Sequence, residues 1–510
     1  MTQTIATIAL VIFAVAMLLI GILSVRKTQT MEGFLLGGRN MGPWISAFAY
    51  GTSYFSAVVF IGYAGMHGWK IGIGSVWIGI GNALVGCYLA WKLLARRTRT
   101  MTHRIQASTT PEFLQERFGS SALKIYAAVI IFVFLVPYAA SVYKGLGVLF
   151  SAIFPGSSEV ICMAIVAGLT AVYLVLGGYV ATAVNDFIQG IIMLAGVVLL
   201  VVAIITRPEV GGFAGMFERL AAVPTSEVVP GGGSQLTNFW GGSSFQFLLT
   251  NILLTSIGVW GLPQMVHKYY TINDESQIKK ATVISTVFAL VIGIGAYLVG
   301  STSHLFLEST ASGAPVVGYD NVMPTILMQA LTGNVWLNIL LSVIMLLLLS
   351  ASMSTLAAIV LTSSSAISVD IIKVVKPGIS DKSQMLIMRL LCLLFVVLSF
   401  VFATLNISFI VNIMSFSWGV VAGSFIGPYI WGLYSKKVTK VGAWAGTLSG
   451  LVVVGVLLII FTMTSGFEAA KALAPEFGVA AMAVSLVAVP VVSLFTKKPD
   501  QALIDKCFEK

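Results

Sequence analysis

Charge is scarce in this chain. Only 9% of its 510 residues are Asp, Glu, Lys or Arg, where a soluble domain carries about 25%. Hydrophobic residues make up 58% and the mean hydropathy is +0.97, more apolar surface than a soluble fold can hide. Cysteine is scarce too. Cys87, Cys162, Cys392 and Cys507 are scattered, three of them inside apolar runs, which excludes a disulfide or metal framework. The four histidines, His67, His103, His267 and His304, fall near the ends of apolar segments without metal-ligand spacing, and no nucleophile motif accompanies them. That argues against an enzyme. The alternating pattern of a transmembrane barrel is missing as well; the apolar runs reach the roughly 20 residues a spanning helix needs.

What is present is an all-α polytopic membrane protein. Thirteen apolar helices are expected near 4–25, 43–66, 71–95, 122–153, 158–177, 180–206, 244–267, 281–304, 335–366, 384–404, 408–434, 441–463 and 477–496, numbered here as spans one to thirteen. Span one has no basic residue before it and no small-residue cleavage pattern behind it, so it reads as a helix and not as a signal peptide. With the N-terminus outside, the inner segments collect 24 of the 29 basic residues, from Arg26, Lys27 and Arg39 through Arg96–Arg104 and Lys436–Lys440 to the four lysines of the tail. The outer segments keep Lys70, Arg207, Arg219 and Lys471, and Lys144 lies within a span. This asymmetry follows the positive-inside rule and places the C-terminus in the cytoplasm of a plasma-membrane protein. It also accounts for the net charge of +10 without a nucleic-acid partner. The outer segments 207–243 and 305–334, with turn signals such as Pro230-Gly-Gly-Gly-Ser234, read as surface loops with at most a short interfacial helix.

Two spans carry helix-breaking sequence at matching places. Span two contains Gly51-Thr-Ser-Tyr-Phe-Ser56, and span seven contains Ser256-Ile-Gly-Val-Trp-Gly-Leu-Pro263. They lie five spans apart and so run in opposite directions, as expected of a five-plus-five inverted repeat over spans two to eleven. The chain then divides into a leading helix (4–25), a first repeat (42–206), a second repeat (241–435) and two trailing helices (441–496), together one membrane transport domain.

Span nine carries Ser350-Ala-Ser-Met-Ser-Thr-Leu-Ala-Ala358. Hydroxyls at membrane depth are costly unless partnered, although most bond to their own helix or a neighbouring one. Ser354 and Thr355 point about 100° apart on a helix, so they meet on one ion only if other oxygens face them. A broken span two offers the carbonyls of Thr52 and Phe55, and span nine that of Ala351. Five neutral oxygens without a carboxylate suit Na⁺ better than a divalent ion.

These residues resemble the sodium:solute symporters. The likeness rests on Phe34-Leu-Leu-Gly-Gly-Arg-Asn-Met-Gly-Pro43, Gly177-Gly178 through Asn185-Asp-Phe-Ile-Gln189, Gly261-Leu-Pro263 and Met353-Ser-Thr355. It implies a leucine-transporter-like fold and a sodium site formed by Thr52, Phe55, Ala351, Ser354 and Thr355. It also implies a place for Asp186 on the ion's release path; a helix-start acid favoured by the dipole is the plainer account of that residue. Where some members hold a second sodium, this chain has Ala357 and Ala358, so one Na⁺ per cycle is expected. The proline branch has an acid in span two followed by Ser-Gly-Trp, and a Trp and a Tyr in span seven. This chain reads Tyr54-Phe-Ser-Ala-Val58, with Thr255 and Val259. Ser53 to Gly62 looks closer to the pantothenate and monocarboxylate branches.

The expected partners are therefore Na⁺ and a small organic solute, a carboxylate before an amino acid such as proline. Tyr54, Phe55, Ser56, Tyr143, Trp260 and Gln264 are candidates for the pocket wall. Lys144 either pairs with a substrate carboxylate or snorkels to the headgroups. An uncoupled channel is the competing class. A sensor would need a signalling domain longer than the tail 497–510. The sequence carries no signature of an oligomeric state.

Overall fold

A computed structural model describes residues 2–24, 30–224, 232–405 and 407–508. Val25, Arg26, Lys27, Pro230, Gly231 and Lys510 of the preceding section lie outside the described residues. Among the described residues the chain is helical, with two isolated bridges, Met41 to Ile272 and Ser309 to Pro315, and no β-strand.

Among the described residues, eleven helices are long and apolar enough to cross a membrane. They resolve into the thirteen expected spans. Glu159–Ile205 and Val58–Arg104 each run for 47 residues. At 1.5 Å per residue either would be about 70 Å long as one helix, over twice the hydrocarbon thickness of about 30 Å. Both contain a glycine that no helix accommodates. Gly178 has φ 50° and ψ −147°, and a Cβ there would lie 2.8 Å from the Phe34 carbonyl oxygen. Gly72 has φ 65° and ψ −134° at the end of span two. These turns separate spans five and six, and spans two and three. The first half of span two, Pro43–Tyr54, is too short to count by itself.

Burial ranks the spans. Span nine is central: 89% of its most apolar stretch is inside the protein, against 22% for span one and 28% and 33% for spans twelve and thirteen. It packs against spans one, two, four, five, six and ten, so its serines face protein and not lipid. Helix extends beyond the expected ends at the side carrying most of the basic residues. Span three continues as Arg96–Arg104, and span nine passes through a π-helical turn, Ser368–Ile372, to Val375. In the outer segments short helices form at Gly212–Ala221 and Val322–Ala330.

Candidate ion and solute site

Span two breaks where its sequence loosens. The helix from Pro43 ends at Tyr54, and Phe55 is extended at φ −105°, ψ 118°. Ser56 then caps the next segment, its hydroxyl accepting the Val58 N–H at 3.2 Å. The Ala57 N–H is taken by the Ser352 hydroxyl of span nine at 3.0 Å. The chain resumes as a π-helix over Val58–Tyr63, a form often found at functional sites. Span seven breaks as well: a 3-10 turn at Val259–Gly261 leads to Leu262, extended at φ −81°, ψ 119°, and Pro263 opens a new helix to Tyr270.

Span nine meets the break in span two. Ser354 donates to the Thr52 hydroxyl at 2.8 Å, and Thr52 donates in turn to the Phe48 carbonyl at 2.8 Å. The Thr355 hydroxyl lies 3.0 Å from the carbonyl oxygen of Ala351, 3.2 Å from that of Ser53 and 3.4 Å from that of Thr52. One hydroxyl proton serves one acceptor fully, so three carbonyls around it leave lone pairs over at a place with no exposure to water. Four of the five residues expected to share an ion thus meet through atoms of the expected kind. Phe55 sits at the break itself. The Ser53 carbonyl joins the cluster; sequence spacing did not single it out because it depends on how Thr355 points.

Asp186 of span six is fully buried and lies 3.4 Å from the Lys268 ammonium, which also sits over the Tyr179 ring at 5.2 Å. Ser354 lies within interaction range of the same carboxylate, so Asp186 borders the oxygen cluster. Lys268 is one of the 24 basic residues of the inner segments, and nothing in the charge pattern sets it apart from them. Its position in the run Met265–Tyr270, without a polar neighbour beyond His267, was the available signal.

Beside the break lies a narrow cavity lined by Tyr54, Ser56, Val59, Tyr63, Asn82, Tyr138, Thr255, Tyr297, Met414 and Trp418. Tyr54 donates to the Thr255 carbonyl at 2.7 Å, and the Thr255 and Ser256 hydroxyls both reach the Asn82 side-chain oxygen. Trp418 stacks with Tyr54 and meets Tyr138 edge-on. None of these lining residues is charged. Two of the seven candidate solute residues, Tyr54 and Ser56, are here, while Phe55 forms the break itself. Tyr143 and Gln264 are buried elsewhere, and Trp260 donates to the Val85 carbonyl at 3.0 Å. Lys144 lies apart, 3.1 Å from Asp320 and donating to the Ser408 carbonyl at 2.7 Å. The aromatic wall from spans four, eight and eleven was not legible because no local motif marks Tyr138, Tyr297 or Trp418.

Two broken helices, one of them meeting the hydroxyls of a buried span at a neutral oxygen cluster, are the arrangement of an ion-coupled secondary transporter. The model of the sodium:solute symporter family matches residues 34–450, and the chain belongs to that family. Among curated relatives, the high-affinity proline transporter PutP of Bacillus subtilis (strain 168) is 28% identical, with 96% of this chain and 98% of the relative aligned. The sodium/proline symporter of Haemophilus influenzae is also 28% identical, covering 98% and 96%. Among solved structures, a Na⁺-coupled sialic acid symporter in a substrate-bound outward-open state superposes with a TM-score of 0.79 at 17% identity, covering 97% of this chain and 98% of the other. The nucleobase-cation-symport-1 transporter MHP1 gives 0.52 at 17%, covering 93% and 97%. The fold is leucine-transporter-like, with a five-plus-five inverted repeat. The protein is a polytopic membrane symporter, not an enzyme; its coupling ion is Na⁺ and its cargo a small organic solute.

Proposed function

We propose that the chain imports a small zwitterionic solute of the amino-acid class together with one Na⁺ per cycle. The observation that carries this reading is the neutral, aromatic lining of the cavity beside the span-two break. A lone carboxylate buried there would be uncompensated, which is costly. A zwitterion brings its own countercharge, and the faces of Tyr54, Tyr63, Tyr138, Tyr297 and Trp418 suit an ammonium group. The proline-transporting relatives point the same way. A simple monocarboxylate or pantothenate, favoured by the stretch from Ser53 to Gly62, is the second reading.

In this proposal Na⁺ is held by the Thr52, Phe55 and Ala351 carbonyls and the Ser354 and Thr355 hydroxyls, so it bridges the two repeats (42–206 and 241–435). Asp186 takes it on the way to the cytoplasm. Ala357 and Ala358 offer no side-chain oxygen for a second ion. The N-terminus lies outside and the C-terminus in the cytoplasm. One Na⁺ is sufficient: about 100 mV supplies about 2.3 kcal/mol per charge, and a tenfold gradient about 1.4 more. Together they support accumulation of a neutral solute by several hundredfold.

The test is transport current in proteoliposomes given a sodium jump, with L-proline, L-alanine and glycine betaine set against lactate, pyruvate and pantothenate. Zwitterion import with one Na⁺ moves one net charge per cycle; a monoanion with one Na⁺ moves none. Sodium-driven, electrically silent uptake of the monoanions alone would overturn the zwitterion reading.

A further inference from the structure

At the membrane end that carries the C-terminus, a broad cavity opens between the helix Thr110–Phe118, the start of span twelve and the segment following span thirteen. Its charged lining residues are Arg117, Lys440, Lys497, Lys498 and Asp500, four cations to one anion. Asp500 is engaged locally, its carboxylate accepting the Ala502 N–H at 3.1 Å at the start of the last helix. None of the four cations forms an ion pair among the described residues.

Arg117 is the most informative of them. It is 1% exposed, and its guanidinium donates to the carbonyls of Gly432 and Ser435 at 3.0 and 2.6 Å. Its third nitrogen, Nη1, is buried without a partner. The guanidinium also lies over the rings of Phe118 and Phe508, 5.0 and 5.1 Å from their centres, and with a donor to spare it has no carboxylate partner among the described residues. Lys440 stands in the first turn of span twelve, a 26-residue helix whose positive dipole end opens into the same cavity. The apolar side chains that line the cavity are Phe118, Val438, Val441 and Leu503, and Val441, at 52% exposed, is turned outward.

We propose that this cavity binds the phosphodiester headgroup of an anionic membrane phospholipid, with Lys440, Lys497, Lys498 and Arg117 around the phosphate and the acyl chains leaving past Val441 and Leu503. Charge complementarity selects an anion, and the adjoining apolar surface at the membrane boundary selects one that carries hydrocarbon. The site is separate from the transport pathway and stands whatever solute the protein carries.

The test uses the purified full-length protein in zwitterionic phosphatidylcholine nanodiscs, with phosphatidylglycerol titrated in and retained lipid counted by native mass spectrometry. The comparison protein is the triple variant Lys440→Gln, Lys497→Gln, Lys498→Gln, three exposed positions whose change leaves thermal unfolding near wild type. The expected result is a loss of phosphatidylglycerol retention of at least tenfold in the variant, with phosphatidylcholine retention unchanged. Equal retention by both proteins overturns the proposal. So does soluble glycerol 1-phosphate competing as strongly as the lipid, because the site would then recognise a free phosphate. Displacement by a polyglutamate peptide at lower concentration than the lipid would assign the surface to an acidic protein instead, and likewise overturns it.

Discussion

The Lys268 ammonium lies 3.4 Å from the Asp186 carboxylate, with both side chains almost wholly out of solvent. One comes from span six and the other from the second limb of broken span seven, so the pair joins the two repeats beside the oxygen cluster. Breaking a buried pair by removing one partner costs about 3–5 kcal/mol, because the remaining charge is stranded. Lys268→Gln and Asp186→Asn should each lower the unfolding temperature strongly, and the double variant should recover much of the loss. Lys268→Gln should also lower the apparent KM for Na⁺, because the tethered ammonium no longer competes for the carboxylate. A double-mutant cycle on thermal unfolding, with sodium titrations of uptake, checks both; strict additivity would show that the pair is not coupled.

Thr355 is surrounded by more carbonyl oxygen than its single proton can serve. Thr355→Ala removes one hydroxyl from the proposed ligand set and leaves the helix intact. The sodium concentration for half-maximal uptake should rise more than tenfold while unfolding in the absence of sodium changes little. Thr355→Ser, which keeps the hydroxyl, should stay within a few-fold of wild type. An alanine variant with wild-type sodium dependence would count against the set.

Much of this geometry was legible because it follows from composition and local chemistry. Apolar runs of membrane length fix the spans, and Gly51 with Ser56, or Gly261 with Pro263, weakens a helix wherever it occurs. Thr52, Ser354 and Thr355 could be paired because a lone hydroxyl run at membrane depth requires partners. Lys268, Ser53 and the ring of Tyr138, Tyr297 and Trp418 could not, because their roles arise from helices that meet only after packing. Aromatic residues in apolar spans carry no sign of which face is inward. Lys144 illustrates the opposite case: a charge inside a span is conspicuous, yet its sequence context does not reveal that Asp320, 176 positions later, returns to it.

The Lys144–Asp320 pair, 3.1 Å apart with side chains 12% and 11% exposed, also ties in the start of span eleven. Lys144 donates to the Ser408 carbonyl and Asp320 accepts the Ile410 N–H. None of these groups lines the cavity beside Tyr54. Lys144→Ala should therefore leave the apparent affinity for solute within about threefold of wild type and reduce thermal stability. Asp320→Ala should do the same, with the double variant little worse than either single one. A solute KM raised more than tenfold in Lys144→Ala would instead place the lysine on the substrate.

Glu275 makes a different kind of link, at the water-exposed end of the bundle. Its carboxylate accepts from the Thr100 hydroxyl at 2.6 Å and from Arg96 at 2.8 Å, joining the arm beyond span three to the connection between spans seven and eight. The Thr100 hydrogen bond, reinforced by Arg96 and by the charge of Arg99, holds this carboxyl below its ordinary pKa. A depressed folded value means that the stabilisation is fully present above the ordinary glutamate pKa of about 4.3 and disappears as the pH falls through the lower folded value. Glu275→Gln should thus unfold at a slightly lower temperature than wild type between pH 6 and 8, and the gap should close on acidification below about pH 4. The pair is partly exposed, so added salt should narrow the gap at neutral pH as well. Unfolding curves of the two proteins across pH, at low and high ionic strength, check each part; a gap that widened in acid would mean the carboxylate is destabilised by its surroundings.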